Sequence, residues 1–140
     1  MRTAIDTNIL SAIWSNEPAT ASIVQLLGEA RRNGALILSP VVFAELHAYP
    51  GATSAFLSSF IADTGITADF HLEKATWEEA GIRFARYAIR RRQSLGSAPR
   101  RLIADFLVGA HALLQADQLF TLDSKVYQQD FPELALVPLP

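Results

Sequence analysis

The chain has 140 residues, half of them hydrophobic and 19% charged, a net charge of −2 and no cysteine. That length suits one domain over 1–140 burying about 68–70% of its unfolded surface, and the composition is that of a globular protein rather than a disordered or disulfide-knit one. Thiolate metal sites are excluded, no apolar run approaches the ~20 residues of a spanning helix, and no leader-like segment opens the chain, so a cytoplasmic protein with no membrane partner is expected.

Thr3 to Ile5 is a short apolar run that reads as a buried strand ending at Asp6. Thr7 or Asn8 then offers a side-chain oxygen to cap a helix beginning near Ile9. A carboxylate thus stands where a strand ends and a helix starts, the edge at which open α/β sheets bind ligands. Asn16 and Pro18 open a second helix, with Ile23, Leu26, Leu27 and Ala30 at helical spacing. Gly34 closes it behind Arg31 and Arg32. Ala35 to Leu38 is a second strand. Ser39-Pro40, a cap residue followed by proline, starts a helix that carries Glu45 and ends near Tyr49-Pro50-Gly51. The spacing predicts a further helix over 53–63, with Phe56, Leu57, Phe60 and Ile61 on one face, and a short third strand over 66–70.

A long helix is expected from Glu73 to about Ser94, with Ala75, Ile82, Phe84, Ala85 and Ile89 inward and Glu78, Glu79 and the arginines outward. Gly96-Ser97-Ala98-Pro99 is a flexible break. A strongly periodic helix follows, carrying Leu102, Ile103, Phe106, Leu107, Ala110, Leu113 and Leu114. Gln118 to Leu122 reads as a buried strand ending at Asp123, and Ser124 to Phe131 as a turn of helix. Leu134 to Leu139 is a last strand with proline-limited pairing. Strands alternating with helices along the whole length give an α/β fold around a mostly parallel sheet.

Four acids occupy positions that apolar patterning does not explain: Asp6, Glu45, Asp105 and Asp123. Asp6 and Asp123 follow strands, and Glu45 lies in a helix entered from the same edge if the sheet is parallel. Asp105 sits early in a very apolar helix, where an unpaired acid is costly to bury. Singly, each could be a cap or a helix-dipole acid, and Arg101 and Asp105 could form a surface pair. Together they are better explained by a cation, because close carboxylates repel unless a metal neutralises them. Oxygen-only ligands favour Mg²⁺ or Mn²⁺ over zinc, an ion able to acidify water and grip a phosphate oxygen.

Ala4-Ile5-Asp6-Thr7-Asn8-Ile9-Leu10, Ser39 to Leu46, Leu102 to Ala112 and Leu119-Phe120-Thr121-Leu122-Asp123 resemble, in order, the successive motifs of PIN domains. The likeness is strongest to VapC-type ribonuclease toxins of toxin–antitoxin pairs, and it spans nearly the whole chain. It implies a three-layer α/β/α fold, Mg²⁺- or Mn²⁺-dependent endoribonuclease activity and an antitoxin partner. It also implies a homodimer, with operator DNA reached only through the antitoxin. On the matching positions, Asp6 and Asp105 would be direct metal ligands, and Glu45 and Asp123 ligands through water or for a second ion. Thr121 would orient Asp123 or the attacking water, and Asn8 would support the site from behind. Leu122 and Ser124-Lys125 depart from the polar or basic neighbours many members carry beside that last acid.

Seven of the 12 basic residues lie between positions 83 and 101. Arg90, Arg91 and Arg92 could be the solvated end of a helix, but Arg100 and Arg101 directly precede Asp105. The set is therefore expected to bind RNA phosphates. Phe56, Leu57, Phe60 and Ile61 are expected to form a groove for an antitoxin segment. His47 and His111 are expected to be partly buried and satisfied, His71 to be a helix-entry residue, and Trp14 and Trp77 to be core or interface before base-stacking platforms. A haloacid-dehalogenase-like phosphatase would want a second Asp where Asn8 stands. A non-catalytic partner-binding module would have lost an acid, whereas a PIN nuclease of RNA maturation would retain all four.

Overall fold

The computed structural model describes residues 1–97 and 100–140. The strands β1 (Arg2–Ile5), β2 (Ala35–Leu38), β3 (Thr67–Ala68) and β4 (Gln118–Phe120) form one sheet in the order β3-β2-β1-β4, with every pairing parallel. Thr3, Ala4 and Ile5 are buried in succession, as are Leu36, Ile37 and Leu38. Consecutive burial means that both faces of the sheet are covered, which is why these strands read as unbroken apolar runs. Because all four strands point the same way, Asp6, Ser39, Asp69 and Thr121 leave the sheet at one edge.

The helices are α1 (Thr7–Trp14), α2 (Thr20–Arg32), α3 (Pro40–Leu46), α4 (Ser54–Thr64), α5 (Lys74–Gln93), α6 (Ile103–Gln115) and α7 (Ser124–Asp130). Asp6 itself caps α1, its carboxylate accepting from the Thr7 N–H at 2.8 Å, so the helix starts earlier than a Thr7 or Asn8 cap would have it. Ser39 caps α3 as its Ser-Pro pair suggests, accepting from Val42 N–H at 3.2 Å. That helix stops at Leu46, short of the Tyr49-Pro50-Gly51 turn. Thr53 caps α4, and Gly65 ends it in the left-handed conformation, φ 71°.

Three expectations require correction. The third strand has only two residues, and the last is a single parallel bridge from Leu136 to Leu119. Prolines at 138 and 140 leave that segment few amides to donate. The larger error concerns α5, whose buried face is Thr76, Ala80, Arg83 and Tyr87, while Ala75 and Ala85 are exposed and Ile82 and Ile89 stay 49% and 46% exposed. Aromatic packing fixes the face: Phe84 and Tyr87 meet Phe106 of α6 at 5.3 and 5.5 Å. Arg83 lies in the interior because its guanidinium donates to Glu79, Glu133 and the Asp130 carbonyl, and stacks 4.7 Å over Phe131. Counting apolar residues cannot find a buried face built from threonine, alanine and a paired arginine. Of the Gly96-Ser97-Ala98-Pro99 break, Ala98 and Pro99 lie outside the described residues.

Gly109 is buried on α6, and a Cβ there would fall 2.3 Å from the Phe131 ring. Gly109→Ala should therefore cost a net 1–2 kcal/mol, roughly, although alanine is the better helix former. Urea midpoints test this; an unchanged or raised midpoint would contradict the close approach.

Candidate active site

Asp6 directly follows β1 and is only 7% exposed. Its Oδ1 accepts from the Thr7 N–H at 2.8 Å and its Oδ2 from the Thr121 hydroxyl at 2.7 Å. Burial pushes the carboxyl up to about 6, against the pull of those two hydrogen bonds, and the charges of Glu45 and Asp123 push the same way. Two further acids are therefore close enough to Asp6 to oppose its ionisation.

Neighbouring polar side chains hold those acids. The Thr7 hydroxyl donates to Glu45 Oε1 at 2.9 Å, which ties α3 to the start of α1. Asn8 donates through Nδ2 to Asp123 Oδ2 at 3.1 Å and accepts the Leu122 N–H on Oδ1 at 3.1 Å. The Asp-Thr-Asn sequence thus reaches three acids: the first residue is one, and the next two hold one each. The Thr121 hydroxyl donates to Asp6 and accepts the Asp123 backbone N–H at 3.0 Å, so it holds the Asp6 carboxylate as well as the backbone of Asp123.

Asp105 lies in the first turn of α6. Tyr127 of α7 is buried near both acids: burial first, then the charges of Asp6 and Asp105, raise its pKa far above the ordinary phenol value. A neutral hydroxyl therefore stands within reach of both charges. No sequence pattern marked Tyr127, since one aromatic in a short helix after Asp123 reads as core. The Asp105 Oδ2 accepts from the Leu102 N–H at 3.3 Å and lies 3.4 Å from Arg101 Nε. The Arg101–Asp105 pair that spacing allows is thus present but long. The closer partner of Arg101 is Asp130, at 2.8 Å from Nη1.

Asp130, likewise unmarked by the sequence, is a buried acid at the end of α7 that accepts from both Arg90 and Arg101. Two members of the expected RNA-binding set are accordingly committed to an internal ion pair. Burying Asp130 requires such partners. Arg91, Arg92, Arg100 and Arg101, with Phe84 and Tyr87, line an open cavity of about 530 Å³ beside the start of α6. Arg92 and Arg100 are exposed there.

The expected partner groove is also redrawn. Leu57 is core, and Phe56 and Phe60 pack edge-on against Trp14 at 5.3 and 5.2 Å. Of the four residues only Phe60 lines the apolar cavity of about 310 Å³ between α1, α2 and α4, together with Ile13, Val24 and Leu27. His111 is fully buried, with Nε2 3.1 Å from Asp69, and burial lowers its pKa despite that acid. His47 is exposed, with Nδ1 3.0 Å from the Phe43 carbonyl, and His71 lies just ahead of α5.

The donor set around Asp6 is all oxygen, with a buried carboxylate and two acids acting against it. That chemistry fits a hard divalent cation. Among the described residues, no three His, Asp or Glu side chains are gathered to hold an ion by themselves.

The sequence matches the PIN domain family over residues 3–132. Two solved structures share the fold. VapBC2 from Rickettsia felis, bound to a DNA fragment from its promoter, gives a TM-score of 0.64 at 20% identity over 100% of each chain. VapBC-1 from nontypeable Haemophilus influenzae gives 0.62 at 20% identity, covering 98% of this chain and 97% of that one. No curated protein shows significant similarity. Among the described residues, no helix is long and apolar enough to cross a membrane.

The raised Asp6 pKa has a consequence for stability. Between the ordinary aspartate value of 3.8 and about 6 the folded chain keeps a proton that the unfolded chain releases. Stability in cation-free buffer therefore falls as pH rises through that window, by an amount on the order of 3 kcal/mol, and the loss is complete above it. Asp6→Asn lacks this loss. Its stability relative to the natural chain should rise between roughly pH 4 and pH 7 on denaturant titration. A constant difference across that range would contradict the buried, charge-opposed carboxylate.

Proposed function

Because the chain belongs to the PIN domain family, we propose that it is a divalent-metal-dependent endoribonuclease of the VapC toxin kind, restrained by an antitoxin protein. The observation that carries this reading is the Asp6 carboxylate. It is held by two hydrogen bonds at the carboxyl edge of the central strand, and its burial, aided by the charges of Glu45 and Asp123, pushes its pKa up to about 6. A protein rarely keeps such a group without a use for it.

Asp6 and Asp105 would be the direct ligands of Mg²⁺ or Mn²⁺, and Glu45 and Asp123 would act through water or on a second ion. When bound, the cation supplies neutralising charge and acidifies a water for attack on the phosphodiester. The chain's own part is placement. Thr121 and Thr7 N–H fix the two oxygens of Asp6, Thr7 Oγ1 holds Glu45, and Asn8 holds Asp123. Tyr127 stays protonated beside the charges of Asp6 and Asp105, so it adds no charge of its own to the site. Arg92 and Arg100 would meet substrate phosphates in the basic cavity, and Arg91 lines it too. Arg90 and Arg101, through Asp130, would brace the segment that carries them.

An antitoxin segment would lie in the apolar groove between α1, α2 and α4. The fold's occurrence in two VapBC complexes, one of them on promoter DNA, supports such a partner and an operator contact made through it. A homodimer in the cytoplasm belongs to the same reading.

The purified chain should cut single-stranded RNA with Mg²⁺ or Mn²⁺, lose that activity with a chelator, and arrest growth when expressed alone. Asp6→Asn and Asp105→Asn should abolish cleavage and relieve the arrest. Thr121→Val should weaken cleavage about 10–100-fold by loosening Asp6. Undiminished cleavage by a folded Asp6→Asn chain would overturn the assignment. Replacing Arg92 and Arg100 with Ser should reduce the salt slope of RNA binding by about 0.7 for each phosphate contact removed. An unchanged slope would make both solvated surface charges with no part in RNA binding.

A further inference from the structure

A second cavity, of about 430 Å³, adjoins the acidic site on its Glu45 side. Val41, Ala44 and Glu45 of α3 form one wall, and Phe70, Leu72 and Trp77 the other. Its lining is apolar apart from Glu45 and contains no lysine or arginine, so it has nothing to hold a phosphate. Yet Phe70 is 67% exposed and Trp77 54% exposed, two aromatic rings turned to solvent rather than to the core. Phe70 is not loose. Phe43 meets it edge-on, ring centroids 4.9 Å apart at 85°, and His47 backs Phe43 at 5.1 Å. An exposed ring held by another ring presents a fixed π-face to solvent.

We propose that this cavity is a stacking platform for a nucleobase of single-stranded RNA, one flanking the phosphodiester cut at the acidic site. The proposal rests on the nuclease reading and adds the substrate's form. The groups follow one another across the edge of the sheet. The basic cavity reaches Asp105 through Arg101, the charges of Asp105 and Asp6 both act on Tyr127, Thr7 joins Asp6 to Glu45, and Glu45 lines the aromatic cavity. Phosphate contacts would thus lie at one end and a π-surface at the other, with the acids between them. A single strand needs both, because its backbone carries charge and its unstacked bases present apolar faces. A duplex keeps its bases stacked on each other and cannot use such a platform. The sole polar lining group is a carboxylate already engaged by Thr7, so the platform should accept any base rather than read one.

Binding of a fluorescently labelled RNA octanucleotide, measured by anisotropy in Ca²⁺ with the RNA checked for integrity, tests the proposal. Trp77→Ala and Phe70→Ala should each weaken binding about 10–100-fold. Trp77→Phe should retain most of the affinity because it keeps a ring. In a Trp14→Phe chain, where Trp77 is the only tryptophan of the original two, RNA should quench the fluorescence saturably. The same backbone with abasic sites should not quench it. With Mg²⁺, Trp77→Ala should raise KM for cleavage far more than it lowers kcat. Unaltered RNA affinity in both alanine variants, with the natural chain still cutting RNA, would overturn the platform and leave the nuclease reading standing. Should Trp77→Ala instead turn a sedimenting dimer into a monomer with undiminished RNA affinity, the surface joins two copies of this chain and the proposal is again wrong. If the natural chain cuts no RNA with either metal, the nuclease reading itself fails, and the platform with it.

Discussion

A carboxylate taken out of water at the end of a central strand is expensive, and much of this chain is arranged around that cost at Asp6. One strand ends in the interior, and the next element must begin there with amides that need acceptors. The Asp6 side chain serves the first of those amides, and the Thr121 hydroxyl meets its other oxygen. These hydrogen bonds do not restore what hydration would have given, so the carboxyl remains difficult to ionise. Glu45 and Asp123 make it more so. A fold selected for stability alone would place leucine or asparagine there.

The supporting polar groups divide by the kind of charge they manage. Around Asp6, Glu45 and Asp123 they are neutral donors: two threonines, an asparagine and backbone amides. Tyr127, placed between Asp6 and Asp105, is neutral as well. Neutral donors fix an acid's orientation without cancelling its charge, which stays available to a cation. Around Asp130 the opposite choice is made. Two guanidinium groups meet a buried acid and satisfy it, making a structural joint between α5, α7 and the segment before α6. Asp105 lies between these regimes, touched at 3.4 Å by an arginine whose closer partner is elsewhere.

Much of this could be read from the residues because strands buried on both faces give unbroken apolar runs, and Ala35–Leu38 is placed to the residue. Asp6 and Asp123 stand out because each follows such a run at a helix entry, and Glu45 because its helix begins directly after one. What the sequence hid was side-chain reach. Thr121 is two residues from Asp123, yet its hydroxyl turns across to Asp6, 115 positions away. Arg90 reads as one of an RNA-binding triplet, but Asp130, 40 residues later, engages its guanidinium. Ile82 and Ile89 were assigned inward on apolar character alone, whereas the aromatic contacts of Phe84 and Tyr87 decide which face of α5 is buried. Trp77 read as core or interface and proved to be exposed beside Glu45. Periodicity reports local pattern, and these four cases turn on partners that only folding brings near.

If uncompensated carboxylates at this edge await a cation, a divalent ion should stabilise the folded chain through them. Thermal unfolding followed across a Mn²⁺ titration near neutral pH measures this directly. The account predicts a melting temperature that climbs saturably in the natural chain and barely moves in Asp6→Asn or Asp105→Asn. A flat response in the natural chain, or an equal rise in all three, would contradict it.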